Sequence, residues 1–301
     1  MTFMGSVFTR GVDVQPCARV PVLLSPPAPR RTVARDIRRK IMQIADLGDI
    51  RLHYRIDGPE DGLPVVFINS LGTDFRLWDK VLPLLPQVLR VLRFDKRGHG
   101  LSEAPPAPYT MGALVRDAER LMEATGFAKA VVVGLSIGGM IAQGLAVKRP
   151  DLVRAMVLSN TGAKIGTAQM WADRIAMVEA GGVAALSDAV MQRWFPKDFR
   201  ESLEGLAWRH MLERTPAAGY AGCSAAIAGA DFYTTTAGLR LPVLGIAGTE
   251  DGSTPPDLVR ETVDLVPGGR LALIQGSGHL PCIDQPVAYA RILEDFLNDI
   301  S

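Results

Sequence analysis

The chain has 301 residues, of which 48% are hydrophobic, and its formal net charge is +1. This length allows one large or two ordinary domains around a sizeable core, and the near-neutral charge gives no global field for nucleic acid. Three widely spaced cysteines argue against a disulfide framework or a zinc site, and no apolar run suits a membrane span or a secretory signal, so we expect a cytoplasmic protein.

Residues 1–41 differ from the rest of the chain. They contain five prolines and end in the basic run of residues 30–40, with no lasting helical or alternating period. We predict a disordered or non-native extension, with Met42 as the functional start. A transit peptide is the alternative, because the stretch is rich in arginine and poor in acid, but the prolines would break an amphipathic helix.

From residue 42 onward, strand and helix patterns alternate along the chain. Such alternation predicts an α/β fold, with a mostly parallel central sheet and helices on both faces. The predicted strands are 51–57, 65–68, 88–94, 131–133, 153–158, 243–247 and 271–274. The predicted helices lie around 78–85, at 110–125, after residue 136, from 256, and at 286–298.

Between residues 161 and 236 the strand pattern stops. Four helices are predicted there, at 170–180, 183–194, 199–213 and around 220–228, and the stretch holds three of the four tryptophans. We expect it to form a helical lid on an α/β core of residues 42–160 and 237–301. The alternative is that the stretch is an insertion with a purely structural role, but its aromatic side chains favour a substrate-facing lid.

The pentapeptide Gly134-Leu-Ser-Ile-Gly138 lies between a buried β-branched strand and a helix. In this context a strained turn would push the hydroxyl of Ser136 out over the sheet edge, as a nucleophile requires. The two glycines would leave room where strand and helix approach each other. The alternative is that Ser136 merely caps the helix.

A serine nucleophile needs a base, and the base needs an orienting acid. His279 follows the last predicted strand and Asp251 follows the one before it, so both belong at the carboxyl ends of strands. The order Ser136, Asp251, His279 is the order of α/β-hydrolase triads. Glu250 competes with Asp251, which we prefer because it lies deeper in the loop.

The other histidines have structural interpretations. His53 lies in a predicted strand and His210 in a predicted helix, whereas His99 lies in a glycine-rich loop after a strand. We interpret residues 95–102 as a structural loop in which Arg97 and His99 make internal hydrogen bonds, with a direct role for His99 as the alternative.

An oxyanion hole needs backbone N–H groups aimed at the developing charge. Ile137, directly after the serine, should supply one. Leu71, in the loop after the strand at 65–68, is the expected second donor, although a plain connection is the alternative for that loop.

On these motifs the chain resembles the α/β-hydrolase superfamily over residues 42–300 and, within it, the 3-oxoadipate enol-lactonases. The matching segments are 69–78, 94–102, 134–139 and, in the lid, those beginning at residues 163, 193 and 215. The resemblance places the family's serine, acid and histidine at Ser136, Asp251 and His279. The family does not normally carry an extension like residues 1–41.

The resemblance implies hydrolysis of 3-oxoadipate enol-lactone to 3-oxoadipate in the β-ketoadipate pathway of aromatic-compound degradation. No cofactor and no metal is expected, and the partner is a small lactone rather than nucleic acid or membrane. A carboxylesterase or a carbon–carbon bond hydrolase is the first alternative, and a small-molecule receptor on a hydrolase fold is the second. A haloperoxidase side activity shares the triad. The oligomeric state is left open.

The enol-lactone carries a carboxylate, which needs a paired donor in a mostly apolar pocket. Arg76 follows the oxyanion loop, Arg193 adjoins Trp194 in the lid, and Arg174 lies one helical turn from Trp171. We expect Arg76 or Arg193 to contact the carboxylate, with Trp194 and Trp171 as further substrate contacts. The alternative is that each arginine is solvated at the surface.

Overall fold

The computed structural model of the chain describes residues 42–300. The predicted extension at residues 1–41 lies outside the described residues, so its nature stays a prediction. Eight strands form one sheet in the described part, and all seven predicted strands are among them. They are β1 Gln43–Asp46, β2 Arg51–Asp57, β3 Leu63–Ile68, β4 Leu89–Phe94, β5 Ala130–Leu135, β6 Val153–Ser159, β7 Val243–Gly248 and β8 Arg270–Ile274.

The strands lie in the order β1-β2-β4-β3-β5-β6-β7-β8. The pairs β1–β2 and β2–β4 are antiparallel, and every later pair is parallel. Strand β5 lies inside the sheet and all six of its residues are buried, as its unbroken apolar run predicts. The predicted fold class, a mostly parallel α/β sheet with helices, is confirmed.

Eleven helices of α type lie within residues 42–300, and most of the predicted helices match them closely. They are α1 Met111–Thr125, α2 Ile137–Lys148, α3 Ala168–Gly181, α4 Ser187–Trp194, α5 Lys197–Arg200, α6 Leu203–Glu213, α7 Ala217–Ala228, α8 Tyr233–Ala237, α9 Pro256–Asp264, α10 Pro281–Asp284 and α11 Pro286–Asp299.

Three predictions about elements need correction, the first being that the single helix predicted at residues 199–213 is two helices, α5 and α6. The helix expected around residues 78–85 is instead two 3₁₀ turns, Phe75–Trp78 and Leu82–Leu84. Pro83 explains the break, because its ring lacks an N–H and would clash with the carbonyl of a preceding α-helical turn. Strand β1 was not predicted, because four residues at the edge of a sheet carry too short an alternation to be recognised.

Residues 161–236, called the helical segment below, are all described and contain helices α3 to α7 and all but the last residue of α8, but no strand. Helix α3 packs against helix α7 within this segment. The segment separates strand β6 from strand β7, which nevertheless pair in parallel, so the sheet closes across the insertion. None of the helices within residues 42–300 has the length and apolar character needed to cross a bilayer.

Candidate active site

Ser136 lies at the turn between strand β5 and helix α2, with a φ of 58° and a ψ of −119°. A positive φ at a residue other than glycine is uncommon and strains the backbone by about 1–3 kcal/mol. Ser136 occupies the N-cap position of the helix, but its side chain makes no capping hydrogen bond, which argues against the alternative that it serves only as a cap. The strained turn leaves the hydroxyl free for another use.

Two glycines make this turn sterically possible. A Cβ on Gly134 would lie 2.2 Å from the carbonyl oxygen of Gly138, and a Cβ on Gly138 would lie 2.2 Å from that of Ile68. Both obstacles are backbone atoms, which cannot swing aside as a flexible side chain does. The predicted role of the glycines in giving room for the turn is therefore confirmed.

Asp251 and His279 are in contact at the carboxyl edge of the sheet. Nδ1 of His279 lies 2.9 Å from Oδ2 and 3.1 Å from Oδ1 of Asp251, and both residues are buried. Burial by itself would raise the pKa of Asp251. The charge of His279, together with hydrogen bonds from His279, Asn160 and Thr254, has the larger effect and holds the pKa of Asp251 below its usual value. Glu250, the competing acid, is exposed.

Asn160 and Thr254 hold the carboxylate of Asp251 in place, and sequence reasoning missed both. Asn160 Nδ2 and Thr254 Oγ1 donate to the same carboxylate oxygen, at 2.9 and 2.8 Å, and the N–H of Thr254 donates to the other at 3.0 Å. The available signal was position, because Asn160 directly follows strand β6 at the edge where ligands bind in parallel sheets.

The two predicted oxyanion donors have unused N–H groups. The N–H of Ile137 opens helix α2, where no intrahelical acceptor exists, and within residues 42–300 that of Leu71 has no protein acceptor either. By contrast, the N–H of Gly72 donates to Nε2 of His99 at 2.9 Å.

The loop after strand β4 is held by hydrogen bonds of Arg97 and His99, one within the loop and others to neighbouring elements. Arg97 forms a bidentate pair with Asp117 at 2.6 and 2.7 Å, and Nδ1 of His99 lies 3.2 Å from the carbonyl of Arg97. Burial lowers the pKa of His99 well below its ordinary value, so its imidazole is neutral. His53 is likewise engaged, with Nδ1 2.8 Å from Asp95.

Ser136, His279 and Leu71 line one cavity of about 200 Å³. Ile165 and Val190 of the helical segment line it too, so the segment and the core loops enclose it together. The structure records no direct hydrogen bond between Ser136 and His279. Such bonds are often long without substrate and tighten in the Michaelis complex, so the arrangement remains compatible with base catalysis.

Arg174 and Arg193 also line this cavity. Neither takes part in the ion pairs that the helical segment makes within the described residues. The guanidinium of Arg174 lies 4.8 Å from the ring centre of Trp171. The pKa of Arg193 is lowered, mainly by burial and to a smaller extent by the positive charge of Arg174. Two half-buried cations without a carboxylate make the cavity electropositive and suited to an anion.

Of the two arginines of which at least one was expected to contact the substrate carboxylate, Arg193 lines this cavity and Arg76 does not. The Nε and Nη2 atoms of Arg76 are 3.0 and 2.6 Å from the carboxylate of Asp74, and this arginine lines a separate groove of about 750 Å³ beside Lys80 and Trp208. Asp74 caps the turn that contains Arg76 and thereby holds the guanidinium. Proximity in sequence to the loop of Leu71 did not bring Arg76 into the cavity.

The two tryptophans predicted to contact substrate both line the cavity and are both 4% exposed. The indole N–H of Trp171 donates to the carbonyl of Ile165 at 2.6 Å, so its polar atom is already satisfied. Contact of Trp171 and Trp194 with a substrate stays a prediction.

Comparison with known proteins agrees with the fold described above. A model of the alpha/beta hydrolase fold matches residues 64–286. The chain is 33% identical over 251 residues to 3-oxoadipate enol-lactonase 1 of Acinetobacter baylyi, covering 83% of this chain and 94% of that protein. The crystal structure of the enol-lactonase from Burkholderia xenovorans superposes with a TM-score of 0.82 at 36% identity, covering 85% and 100% of the two chains. A thermophilic esterase from Thermogutta terrifontis superposes with a TM-score of 0.79 at 25% identity, covering 86% and 97%.

Proposed function

We propose a substrate and a mechanism for this chain on the premise that it belongs to the α/β-hydrolase family. The substrate is 3-oxoadipate enol-lactone, a five-membered ring with an acetate side chain, and the product is 3-oxoadipate. The observation that carries the proposal is the presence of Arg174 and Arg193, without acidic partners among the described residues, in the cavity that Ser136 and His279 line.

Ser136 is the proposed nucleophile. His279 takes the proton of its hydroxyl, and Oγ of Ser136 forms a bond to the lactone carbonyl carbon. Asp251 holds the imidazole of His279 and stabilises its charged form, which suits the carboxylate's pKa below the usual value. The positive φ of Ser136 supports this role, because strain of this kind belongs to nucleophile turns.

The N–H groups of Leu71 and Ile137 bind the oxyanion that forms on the lactone carbonyl. When the intermediate collapses, the ring C–O bond breaks and the leaving oxygen takes the proton from His279. The enol formed by ring opening stays part of the acyl group on Ser136 and tautomerises to the ketone, which draws the reaction forward. Water then attacks the acyl carbon as His279 takes its proton, and His279 returns that proton to Oγ of Ser136 as the acyl–oxygen bond breaks and 3-oxoadipate leaves.

The arginines give the proposal its substrate class. A carboxylate entering a mostly apolar cavity needs charge-assisted hydrogen bonds, and Arg offers a planar bidentate fork. Arg193 and Arg174 repel each other, so an anion between or beside them relieves that repulsion. The names of the Acinetobacter and Burkholderia relatives agree with this substrate.

The helical segment of residues 161–236 is the proposed lid of the active site. It contributes both arginines and the tryptophans Trp171 and Trp194 to the cavity wall. Substrate specificity therefore comes from the lid and bond cleavage from the core loops.

Turnover of the enol-lactone by the purified protein, followed by loss of ring absorbance, tests the proposal. An aryl ester such as p-nitrophenyl acetate serves as the comparison substrate. The proposal expects a much higher kcat/KM on the enol-lactone. A clear preference for the uncharged ester would instead favour the carboxylesterase alternative.

A further inference from the structure

Lys96 is a buried lysine that neither the triad nor the cavity uses directly. It is 2% exposed, and no carboxylate within the described residues forms an ion pair with it. Its Nζ atom lies 2.5 Å from the carbonyl oxygen of Ser70 and 3.3 Å from that of Thr73. A lysine is seldom buried without an acidic partner, because removing its charge from water is costly, so this position needs an explanation.

The carbonyl of Ser70 and the N–H of Leu71 belong to the same peptide unit. This unit is planar and trans, so the carbonyl oxygen and the N–H point in opposite directions. An ammonium that holds the oxygen of Ser70 therefore also fixes the direction of the Leu71 N–H. Thr73 adds a second anchor to the same carbonyl, through Oγ1 at 2.9 Å.

The next peptide along the loop is fixed independently. The N–H of Gly72 donates to Nε2 of the neutral His99 at 2.9 Å, in a turn with a φ of 77° at Gly72. The loop thus commits the Gly72 donor to a protein acceptor and leaves the Leu71 donor unused beside Ser136.

The ammonium also changes the strength of the Leu71 donor. A cation on a peptide oxygen draws electron density through the conjugated amide, which strengthens the N–H at the other end as a donor. The charge lies in a buried region, where it is poorly screened and interacts strongly with a nearby oxyanion.

We propose that Lys96 is a positioning residue for the oxyanion hole, acting through the peptide that joins Ser70 to Leu71. Its ammonium aims the N–H of Leu71 at the developing oxyanion and strengthens that donor. The inference rests on the proposed roles of Ser136 and Leu71, but not on the identity of the substrate, because any ester or lactone forms the same oxyanion.

The test compares the wild type with Lys96→Met and Lys96→Gln on p-nitrophenyl acetate and on the enol-lactone. Gln is one atom shorter than Lys and uncharged, so it remains polar but loses the cation. Lys148→Met is the matched control, because Lys148 is a half-exposed lysine that pairs with Glu119. Circular dichroism and the melting temperature establish that each variant is folded.

Both Lys96 variants should lower kcat by roughly 10- to 100-fold with KM within about twofold, because an oxyanion donor acts mainly in the transition state. The control should keep its kcat. A kcat within about twofold of wild type in a folded Lys96 variant, or an effect confined to KM, would overturn the proposal.

The pH profile of the wild type gives a measurement that does not depend on a variant that folds. Burial lowers the pKa of Lys96 to about 8, against the charges of Asp95 and Asp74 that raise it. Burial also raises the pKa of the neighbouring Cys223 thiol to about 12 and keeps His99 neutral, so neither titrates nearby. The wild-type kcat should therefore fall above about pH 8, and Lys96→Gln should lack this fall. A flat wild-type profile to pH 9.5 would contradict the inference.

The two substrates separate this inference from the proposed function. If the enol-lactone is not turned over but the aryl ester is, the substrate proposal fails and the Lys96 comparison is still made on the ester. If Ser136→Ala retains full activity on both substrates, the nucleophile is wrong and the inference about Lys96 fails with it.

Discussion

The backbone N–H of His279 donates to the carbonyl oxygen of Trp194 at 2.8 Å. This bond joins the loop that carries the proposed base to the helical segment. One residue earlier in that segment, the carbonyl of Arg193 accepts from the N–H of Gly252 at 3.3 Å, beside Asp251. The end of helix α4 therefore contacts both loops, the one that carries the acid and the one that carries the base. Arg193 and Trp194, whose carbonyls make these contacts, also line the cavity. We therefore expect the proposed recognition of the substrate and the placement of the base to be coupled through these two contacts.

Replacement of Ser136 by Ala should abolish turnover of the enol-lactone and leave the fold intact. The expected loss in kcat is roughly a thousandfold or more, because only binding and the oxyanion hole would remain. Steady-state kinetics and circular dichroism on the same preparation check it. A variant that retains more than about a tenth of the wild-type activity would show that another group is the nucleophile.

Arg193→Met and Arg174→Met should each raise KM for the enol-lactone by about tenfold, the effect of losing a charge-assisted hydrogen bond. KM for an uncharged lactone of the same ring size should change little, because it has no carboxylate to lose a partner. Arg76→Met is the matched control, since its guanidinium is bound to Asp74 outside the cavity. Equal effects on KM for both lactones would mean that the arginines stabilise the fold rather than bind the substrate carboxylate.

Gly278→Ala should lower kcat and stability together. Its Cβ would lie 2.2 Å from the carbonyl oxygen of Trp194, a backbone atom, so the loop of His279 must shift away from helix α4. Overpacking of this kind costs about 1–3 kcal/mol of unfolding free energy. Gly112→Ala is the control, because its Cβ would meet nothing closer than 3.9 Å and it lies in helix α1. Thermal melts and kcat are the measurements, and unchanged values for Gly278→Ala would contradict the tight contact.

Asp251 should stabilise the fold in a pH-dependent way. Its pKa in the folded protein is below the ordinary value of 3.8, so the ionised carboxylate favours folding. This contribution is fully present above the unfolded pKa and is lost as the pH falls through the lowered folded value. Denaturant unfolding of wild type and Asp251→Asn at pH 7 and at successively lower pH tests it. The difference in unfolding free energy between wild type and Asp251→Asn should shrink in acid. A difference that grows in acid would indicate that folding raises the pKa of Asp251 instead.

Sequence patterns were sufficient for the architecture and for the three proposed catalytic residues. The unbroken apolar run before Ser136 predicted a buried parallel strand, because a strand covered on both faces has no polar alternation. Asp251 and His279 each follow a strand, and parallel strands bring their carboxyl ends to one edge, so their contact was expected although 28 residues separate them.

Side-chain partners were decided only by the tertiary structure. Arg76 was one of the two arginines favoured for the substrate carboxylate because it follows the loop of Leu71, but Asp74, which caps the 3₁₀ turn containing Arg76, binds its guanidinium. Asn160 offered only its position after strand β6 as a signal, and neither Asn160 nor Lys96 could be given a partner from the sequence, because the carboxylate or carbonyl that each one meets is decided by folding. Hydrophobic periodicity and the succession of strands and helices along the chain are local properties that the sequence encodes directly, whereas the partner of a long polar side chain depends on segments that only the packed fold brings together.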